Sequence, residues 1–323
     1  MKRVSILVPE SAVIEAVADP QYMFSTANQF LQASGKSPLF DVKLVGLQRE
    51  VKFRSGMYTV HIDELLSEIT ETDLIVIPAL FGDMKSAVIR NGEAIPWIVG
   101  QHAKGAEVAS LCVGAFLLAA TGLLDGKKCS THWAYYGEFK EAFPQVEVMD
   151  GSIITEENGI YSSGGANSYW NLLLYLLEKY TDRDTAILAS KYFAIDIDRN
   201  SQAAFMLFQG QKDHNDGAIK KVQEYLEANY AERITLDGLA DLVALSRRSF
   251  ERRFKQATNN TAMEYLQRIK VEAAKRSFES SRKNVNEVMY DVGYTDTKAF
   301  RNVFKKITGL TPIEYRNKYA KIA

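Results

Sequence analysis

The sequence predicts two domains of different class: an α/β sandwich built on a parallel sheet, followed by an all-α domain with two helix-turn-helix units. Short apolar runs alternate with helical segments over roughly the first 190 residues, which is typical of an α/β fold. The strand signals then stop. The helical remainder contains an internal repeat at an offset of 50 residues, which indicates two copies of one supersecondary unit.

The first half carries the pattern of a doubly covered sheet. Short β-branched and apolar runs are typical of strands that are buried on both faces. Segments with helical spacing lie between them at 24–33 and 97–103, and a later strand and helix are predicted at 159–163 and 167–180. This alternation predicts a flavodoxin-like sandwich. The predicted early strands cover residues 4–9, 42–47, 74–78 and 108–112.

The two parts of the chain differ in net charge and are joined by a polar stretch. The polar stretch QGQKDHNDG predicts a linker at 209–217, between a first domain at 1–208 and a second at 218–323. Residues 218–323 hold 21 Lys and Arg against 13 Asp and Glu, a net charge of +8, whereas residues 1–217 carry −9. A basic part of this kind is typical of a nucleic-acid-binding module. Chance clustering of solvated charge is the alternative.

Composition excludes several classes of protein. With 46% hydrophobic and 24% charged residues, the chain is that of a globular protein. The apolar run after MKR is too short for a signal peptide, and the stretch 108–124 contains too many polar and glycine positions for a membrane span. Two cysteines predict no disulfide framework, and four scattered histidines lack metal-ligand spacing. We expect a cytoplasmic protein without a metal, a cofactor or a membrane contact.

The first helix-turn-helix unit is predicted at about 235–256. TLDGLADLV forms one amphipathic helix, a three-residue break follows, and RRSFERRFKQ forms the second. Thr235 and Ser246 are placed to cap the two helices. Because Phe250 and Phe254 are spaced to face inward, the residues that project outward are Arg247, Arg248, Glu251 and Arg252.

The second unit is predicted at about 285–306. Gly293 permits its turn, and Asp296 stands where Ser246 stands in the first copy. A second helix with a basic outer face is suited to the major groove, although each outward residue alone is also compatible with a solvated side chain or a phosphate contact. The outward residues of this copy are Thr297, Lys298, Arg301 and Asn302.

Residues from about 220 to 320 resemble the DNA-binding domain of the AraC/XylS family. The resemblance implies promoter DNA as a partner, contacted by the eight outward residues in two successive major-groove segments, and RNA polymerase as a second partner. Asn259-Asn260 stands where the first unit often carries a glycine, and Asn tolerates the left-handed conformation. The matching residues are Gly293-Tyr294, Phe300, Phe304-Lys305-Lys306, Gly309, Thr311-Pro312 and Tyr315-Arg316.

In the first half, VASLCVGAF (108–116) has the pattern of a nucleophile elbow. Cys112 ends a strand, Gly114 follows it, and a helix begins directly afterwards. At a helix N-terminus the dipole is expected to lower the pKa of the thiol. His132 is the candidate base. The alternative is that Cys112 is a small buried hydrophobic residue.

The run CVGAFLLAATGLLDGKKCSTHW (112–133) resembles the ThiJ/PfpI branch of the class I glutamine amidotransferase-like superfamily, and in particular GlxA-type transcriptional regulators. FSTAN (24–28) extends the resemblance towards the start. It implies a domain that senses a small-molecule effector and forms a homodimer. We therefore expect a ligand pocket at the carboxyl ends of the strands. Its predicted lining is Cys112, Val113, His132 and Trp133, with Trp170 as a further candidate wall.

Several residues argue against catalysis in this half. Enzymatic relatives carry a glycine pair where this chain has PALFG (78–82), and Ser110 stands where a glycine is usual. No late His-x-Glu follows, and neither Glu10 nor Glu15 aligns with the early acidic residue of the PfpI branch. We predict that the protein is not an enzyme and that Cys112 and His132 are vestigial.

The favoured hypothesis is a ligand-responsive regulator of transcription. The family resemblance implies activation of its target genes, with repression as the alternative. One alternative is a cysteine-dependent hydrolase or hydratase of the PfpI type with a DNA-binding tail. Another is a constitutive DNA-binding protein whose α/β domain only dimerises.

Overall fold

The computed structural model describes residues 1–53, 56–197, 201–203, 206–208, 210–212 and 214–320. The chain divides into two compact units, Met1–Gln202 and Ala203–Ala323. The predicted boundary at 208 and the linker at 209–217 remain predictions, and Gln209 and Asp213 of that linker lie outside the described residues. The predicted fold class, a mostly parallel sheet with helices followed by a helical domain, is confirmed.

The first unit is built around a seven-stranded sheet, with two further two-stranded sheets. Its strands are β1 (Lys2–Leu7), β2 (Phe40–Gly46), β3 (Glu50–Phe53), β4 (Tyr58–His61), β5 (Glu64–Leu65), β6 (Leu74–Ile77), β7 (Glu107–Ser110), β8 (Lys128–Cys129), β9 (Glu147–Val148), β10 (Ile154–Glu157) and β11 (Ile160–Ser163). The large sheet has the order β10-β11-β7-β6-β1-β2-β5. Every pairing in it is parallel except that of β10 with β11.

The large sheet has a buried central strand, β6, next to the strand that leads into the elbow. All four residues of β6 are fully buried, as expected for a central strand covered on both faces. In register, Ile77 of β6 pairs with Ser110 of β7, and Ser110 pairs with Ser162 of β11. The carboxyl ends of these three strands therefore lie side by side, at the edge where the cysteine elbow leaves β7.

The helices of the first unit pack on this sheet. The first begins at Ile14 rather than at 24, and its interior contains the buried Pro20, which hid its first turns from the sequence analysis. The β3–β4 hairpin and the last helix were not predicted. The helices are α1 (Ile14–Ala33), α2 (Met84–Arg90), α3 (Ile95–Ala103), α4 (Ala115–Ala120), α5 (Tyr136–Ala142), α6 (Tyr169–Tyr180) and α7 (Arg183–Tyr192).

The second unit is helical throughout its described residues. Its helices are α8 (Gly217–Asn229), α9 (Leu236–Leu242), α10 (Arg247–Thr258), α11 (Ala262–Ser280), α12 (Val285–Asp291), α13 (Thr297–Thr308) and α14 (Pro312–Tyr319). Its long helix α11 belongs to two cores: Tyr265 packs with Phe250 and Phe254, and Phe278 packs with Phe300 and Phe304. Helix α11 thus joins the two repeats.

The segment that precedes α8 is held on the second unit. The Met206 carbonyl accepts a hydrogen bond from Lys275, and the Phe208 N–H donates to Glu272 at 3.2 Å. The Phe208 ring lies 5.0 Å from that of Tyr265. Within the described ranges, no helix has both the length and the apolar character needed to cross a membrane.

Candidate nucleic-acid interface and ligand pocket

The two helix-turn-helix units are α9 with α10 and α12 with α13. The predicted helix caps are confirmed: the Ser246 hydroxyl accepts from the Ser249 N–H at 3.3 Å, and the Asp296 carboxylate accepts from the Ala299 N–H at 2.8 Å. Thr235 caps α9 in the same way, at 3.2 Å from the Gly238 N–H. These caps satisfy otherwise unpaired amides and fix where each second helix begins.

The second helices also end alike. Asn259 and Gly309 both adopt the left-handed conformation, with φ of 53° and 77°, and their N–H groups donate to Lys255 and Lys305. The expectation that Asn preserves the turn of the first unit is confirmed. Thr258 and Thr308, each buried, donate to the carbonyl four residues earlier at 2.8 Å. The two units are therefore equivalent from cap to cap.

The eight predicted DNA-contact residues lie on the outer faces of α10 and α13. All are exposed except Thr297, which is half-buried. Arg247 forms ion pairs with Asp237 and Glu251, both at 3.5 Å. By contrast, three of the arginines have no ion pair with any described residue and remain available to an anionic partner: Arg248, Arg252 and Arg301. Their contacts with DNA stay a prediction.

Arg253 shows the difference between an outward and an inward arginine of α10. Its guanidinium holds Asp216 through two hydrogen bonds of 2.9 and 2.7 Å. Asp216 in turn caps α8, and the hydrogen bonds from Arg253 lower the pKa of its carboxyl group. Arg253 therefore anchors α8 to the first helix-turn-helix unit.

The cysteine elbow has the backbone that the sequence predicted. Cys112 follows β7 with φ of 55°, a left-handed conformation that is rare for a residue with a side chain. A Cβ atom at Gly114 would lie 2.4 Å from the Pro78 carbonyl oxygen, so only glycine allows the helix to start this close to β6. The Cys112 N–H donates to the Ser163 hydroxyl at 3.3 Å.

The thiol, however, does not have the predicted chemistry. Cys112 is 5% exposed, and burial raises the pKa of its thiol to about 12. The expectation of a lowered pKa is wrong because desolvation of the thiolate outweighs the dipole of α4, a helix of only six residues that begins after a 3-10 turn. At neutral pH the group is a thiol.

His132 is not placed to act as a general base for this thiol. It is half-buried, its Nδ1 accepts the Ala134 N–H at 3.1 Å, and burial lowers the pKa of its ring. None of the hydrogen bonds among the described residues joins it to Cys112. The arrangement thus lacks the thiol–imidazole contact that activates a cysteine nucleophile.

The segment 78–82, where enzymatic relatives carry glycines, is tied to the start of α1. The Phe81 N–H donates to the Ser11 carbonyl at 2.7 Å, and the Val13 N–H donates to the Ala79 carbonyl at 2.8 Å. The Phe81 amide is therefore already used and is not free to stabilise an oxyanion.

The four predicted pocket residues differ in how deeply they are buried. Cys112 and Val113 are buried, whereas His132 and Trp133 are half-buried with ring centroids 5.4 Å apart. Neither of two surface clefts of the chain, of about 220 and 480 Å³, includes these residues. Trp170 packs on Phe193 at 5.0 Å. The pocket and its lining stay a prediction.

An acidic residue of α1, Asp19, was not among the predicted site residues. Asp19 of α1 accepts a hydrogen bond from the Tyr169 hydroxyl at 2.6 Å, and burial raises the pKa of its carboxyl group. Burial also raises the pKa of Tyr169, as do the hydrogen bond to Asp19 and the nearby charges of Asp19, Glu15 and Cys112. Asp19 lies four residues after Glu15, one helical turn further along α1. This spacing was the feature of the sequence that could have identified it.

Comparison with known proteins agrees with these two units. Residues 22–179 match the DJ-1/PfpI family, and residues 239–318 match the family of helix-turn-helix domains. The first unit is therefore similar to the DJ-1/PfpI family and the second to helix-turn-helix domains, and the resemblance read from the sequence is confirmed.

Among similar proteins is the HTH-type transcriptional regulator GbdR of Pseudomonas aeruginosa, 27% identical over 69% of this chain and 61% of its own. The regulator GlxA of Rhizobium meliloti is 24% identical over 66% of each chain. The chain thus spans less than two thirds of the length of these relatives. A crystal structure of a putative transcriptional regulator from Vibrio parahaemolyticus shares the fold, with a TM-score of 0.53 and 23% identity over 59% of this chain and 98% of that one.

Proposed function

We propose that the protein is a transcriptional regulator that binds promoter DNA through both helix-turn-helix units and responds to a small molecule held by its DJ-1/PfpI domain. The observation that carries this proposal is the equivalence of α10 and α13. The two helices have caps and buried phenylalanines at equivalent positions, and each presents unpaired cationic side chains on its outer face. Arg248 and Lys298 occupy the same position of the repeat.

The outer faces of these helices suit DNA recognition. Arg248 and Arg252 on α10, and Lys298 and Arg301 on α13, are exposed and have no ion pair with a described residue. A guanidinium fork matches O6 and N7 of guanine as well as phosphate oxygens. The sequence-specific contacts are assigned to these side chains, together with Arg247, Glu251, Thr297 and Asn302.

The DJ-1/PfpI domain is proposed to sense rather than to catalyse. Its cysteine is held as a thiol, its histidine forms no hydrogen bond with that thiol, and one amide of the 78–82 segment is already bonded. A buried thiol at the edge of a parallel sheet is instead suited to line a ligand pocket with Val113, His132 and Trp133. Homodimer formation and contact with RNA polymerase are further parts of this proposal.

Selection of genomic fragments by the purified full chain, followed by sequencing, tests the DNA-binding part. The expected result is one enriched motif that the wild type binds and that an Arg252→Ala, Arg301→Ala double variant no longer enriches. Lys191→Ala, which removes an exposed charge from α7 of the first unit, is the matched control and should retain enrichment. Uniform recovery of fragments by the wild type would contradict the proposal.

The sensing part needs its own test. Thermal shift of the full chain against a metabolite library should find a compound that raises the melting temperature and changes affinity for the selected motif, because a ligand that binds the native state stabilises it. Cys112→Ala, which alters the proposed pocket wall and removes the thiol, should retain the change in DNA affinity at saturating compound, because no step of the response uses the thiolate. A turnover activity present in the wild type and lost in Cys112→Ala would instead establish the enzymatic alternative.

A further inference from the structure

A cleft of about 480 Å³ lies between the two helix-turn-helix units, within the second unit. One wall is the segment 231–234, which leads into the cap of α9, and another is 293–295, which leads into the cap of α13. The floor is the side of α11 that carries Leu266 and Lys270. The cleft therefore opens between the entry points of a helix from each repeat.

Lys270 is a charge without a counter-charge. It is 8% exposed, its Nζ donates to the Gly293 carbonyl at 3.2 Å, and it lies 5.2 Å from the Tyr294 ring centroid. No carboxylate among the described residues forms an ion pair with it. Burying an ammonium group is costly unless it is paired, and burial accordingly lowers the pKa of Lys270.

Lys275, one and a half turns further along α11, shows what a satisfied buried lysine of this helix looks like. It is 2% exposed, but its Nζ forms an ion pair with Glu272 at 3.0 Å and donates to the Met206 carbonyl. Its charge is neutralised inside the protein. The missing partner of Lys270 is thus particular to that side chain and does not follow from burial on α11.

The ammonium of Lys270 lies just beneath an exposed stretch of backbone. A Cβ atom at Gly293 would come within 2.9 Å of the Lys270 Nζ and 2.1 Å of the Ala231 carbonyl oxygen. Gly293 is exposed and has φ of 75°. Because this position has no side chain, the Lys270 Nζ and the Gly293 backbone can lie this close together at the cleft.

The rim of the cleft adds positive charge. Arg233 is exposed and has no ion pair with any described residue, while the neighbouring Glu232 is also exposed and carries the opposite charge. With Lys270 the cleft keeps one net positive charge. Hydroxyl groups of Tyr290 and Thr295 at the same rim are further hydrogen-bond donors.

The position of the cleft relates this charge to DNA. In a helix-turn-helix the second helix enters the major groove while the first crosses the sugar–phosphate backbone. With the two units in successive major-groove segments, a surface between the entry of α9 and the entry of α13 is expected to face the backbone that runs from one segment to the next.

We propose that this cleft binds one backbone phosphate of the DNA between the two major-groove segments, with Lys270 and Arg233 as its cationic ligands. The inference rests on the proposed DNA binding and does not depend on the sensing role of the first unit. Since a phosphate carries no sequence information, the contact should contribute equally to all sequences.

The test is the salt dependence of binding of the full chain to a 30-base-pair duplex of arbitrary sequence, measured by fluorescence anisotropy. Each phosphate contact contributes about one to the slope of log affinity against log salt concentration. Lys270→Met, which keeps the length of the side chain, should lower this slope by about one, and Lys270→Arg should restore it. Arg233→Ala, on the exposed rim, should lower it without a change in melting temperature.

Lys221→Met, which removes an exposed charge from α8, is the matched control and should leave the slope unchanged. An unchanged slope in both Lys270→Met and Arg233→Ala would overturn the inference. So would thermal stabilisation by inorganic phosphate that disappears in Lys270→Met while the slope for DNA stays the same, since this would identify a site for the free ion. If the wild type binds neither this duplex nor genomic fragments, the proposed function itself has failed.

Discussion

The Thr131 hydroxyl donates a hydrogen bond to the carbonyl oxygen of Cys112 at 3.1 Å. Nε2 of Gln202, which has two hydrogens to donate, lies within hydrogen-bonding distance of three acceptors: the Thr131 carbonyl at 3.0 Å, the Tyr136 hydroxyl at 2.8 Å and the Ser152 carbonyl at 3.0 Å. Gln202 is the last residue of the first unit. The elbow and the end of its domain thus share one buried polar network.

Loss of the Gln202 amide should therefore destabilise the first unit. Gln202→Ala leaves the buried Thr131 carbonyl without its donor, at an expected cost of about 1–3 kcal/mol in the free energy of unfolding. Urea denaturation measures this cost. Gln32→Ala, at an exposed position of α1, should change stability by less than about 0.5 kcal/mol. Equal stability of the two variants would show that the network contributes nothing.

The raised pKa of Cys112 predicts a slow thiol. At pH 8 a thiol with a pKa of about 12 has about a thousandfold less thiolate than an ordinary cysteine. Alkylation of the native chain by iodoacetamide, followed by mass spectrometry of the peptide that contains Cys112, should be slow and should speed up on unfolding. Rapid modification of the native protein at pH 7 would mean that the thiol is activated after all.

The left-handed ends of α10 and α13 predict opposite effects of two substitutions. Asn259→Gly should stabilise the second unit by about 0.5 kcal/mol, because glycine adopts positive φ without steric cost. Gly309→Ala should destabilise it by about 1–2 kcal/mol for the converse reason. Thermal denaturation measures both, and a neutral Gly309→Ala would contradict the assignment of the cap.

The Asp216–Arg253 pair predicts a dependence of stability on pH. The pKa of Asp216 is lowered in the folded state, so its contribution is present above the unfolded pKa of about 4 and is lost as pH falls through the folded value. Asp216→Asn should therefore be less stable than the wild type at pH 7, with a difference that shrinks in acid. Denaturation at pH 7 and pH 3 checks this, and a difference independent of pH would exclude the ion pair as its source.

Arg252→Ala tests one assigned base contact. If the guanidinium reads a base, affinity for the preferred motif should fall by about 1–3 kcal/mol while affinity for arbitrary DNA changes little. Competition binding with both duplexes measures the two values. An equal loss for both would reassign Arg252 to a phosphate.

Features set by short-range sequence could be predicted well. The 50-residue repeat located both helix-turn-helix units, and the caps at Ser246 and Asp296 follow from residue types next to helices. The elbow backbone was equally local, since Gly114 must follow Cys112 closely.

Features set by contacts between residues far apart in the sequence could not be predicted. The Cys112 pKa depends on how completely the thiol is buried in the folded domain, and a sequence that shows a helix after a cysteine says nothing about that. Asp19 reaches Tyr169 across 150 residues, and the absence of a described carboxylate beside Lys270 depends on the packing around that side chain. Pro20 led the sequence-based prediction to begin the helix too late. Its buried position inside α1 is decided by tertiary packing.

The central claim, that both repeats bind successive major grooves, is tested most directly by footprinting of the full chain on its selected motif. We expect two protected major-groove segments about one helical turn (about 10 base pairs) apart on one face of the duplex. Arg252→Ala should weaken protection of one segment, and Arg301→Ala that of the other. A single protected segment that both substitutions affect alike, or no site-specific protection, would contradict it.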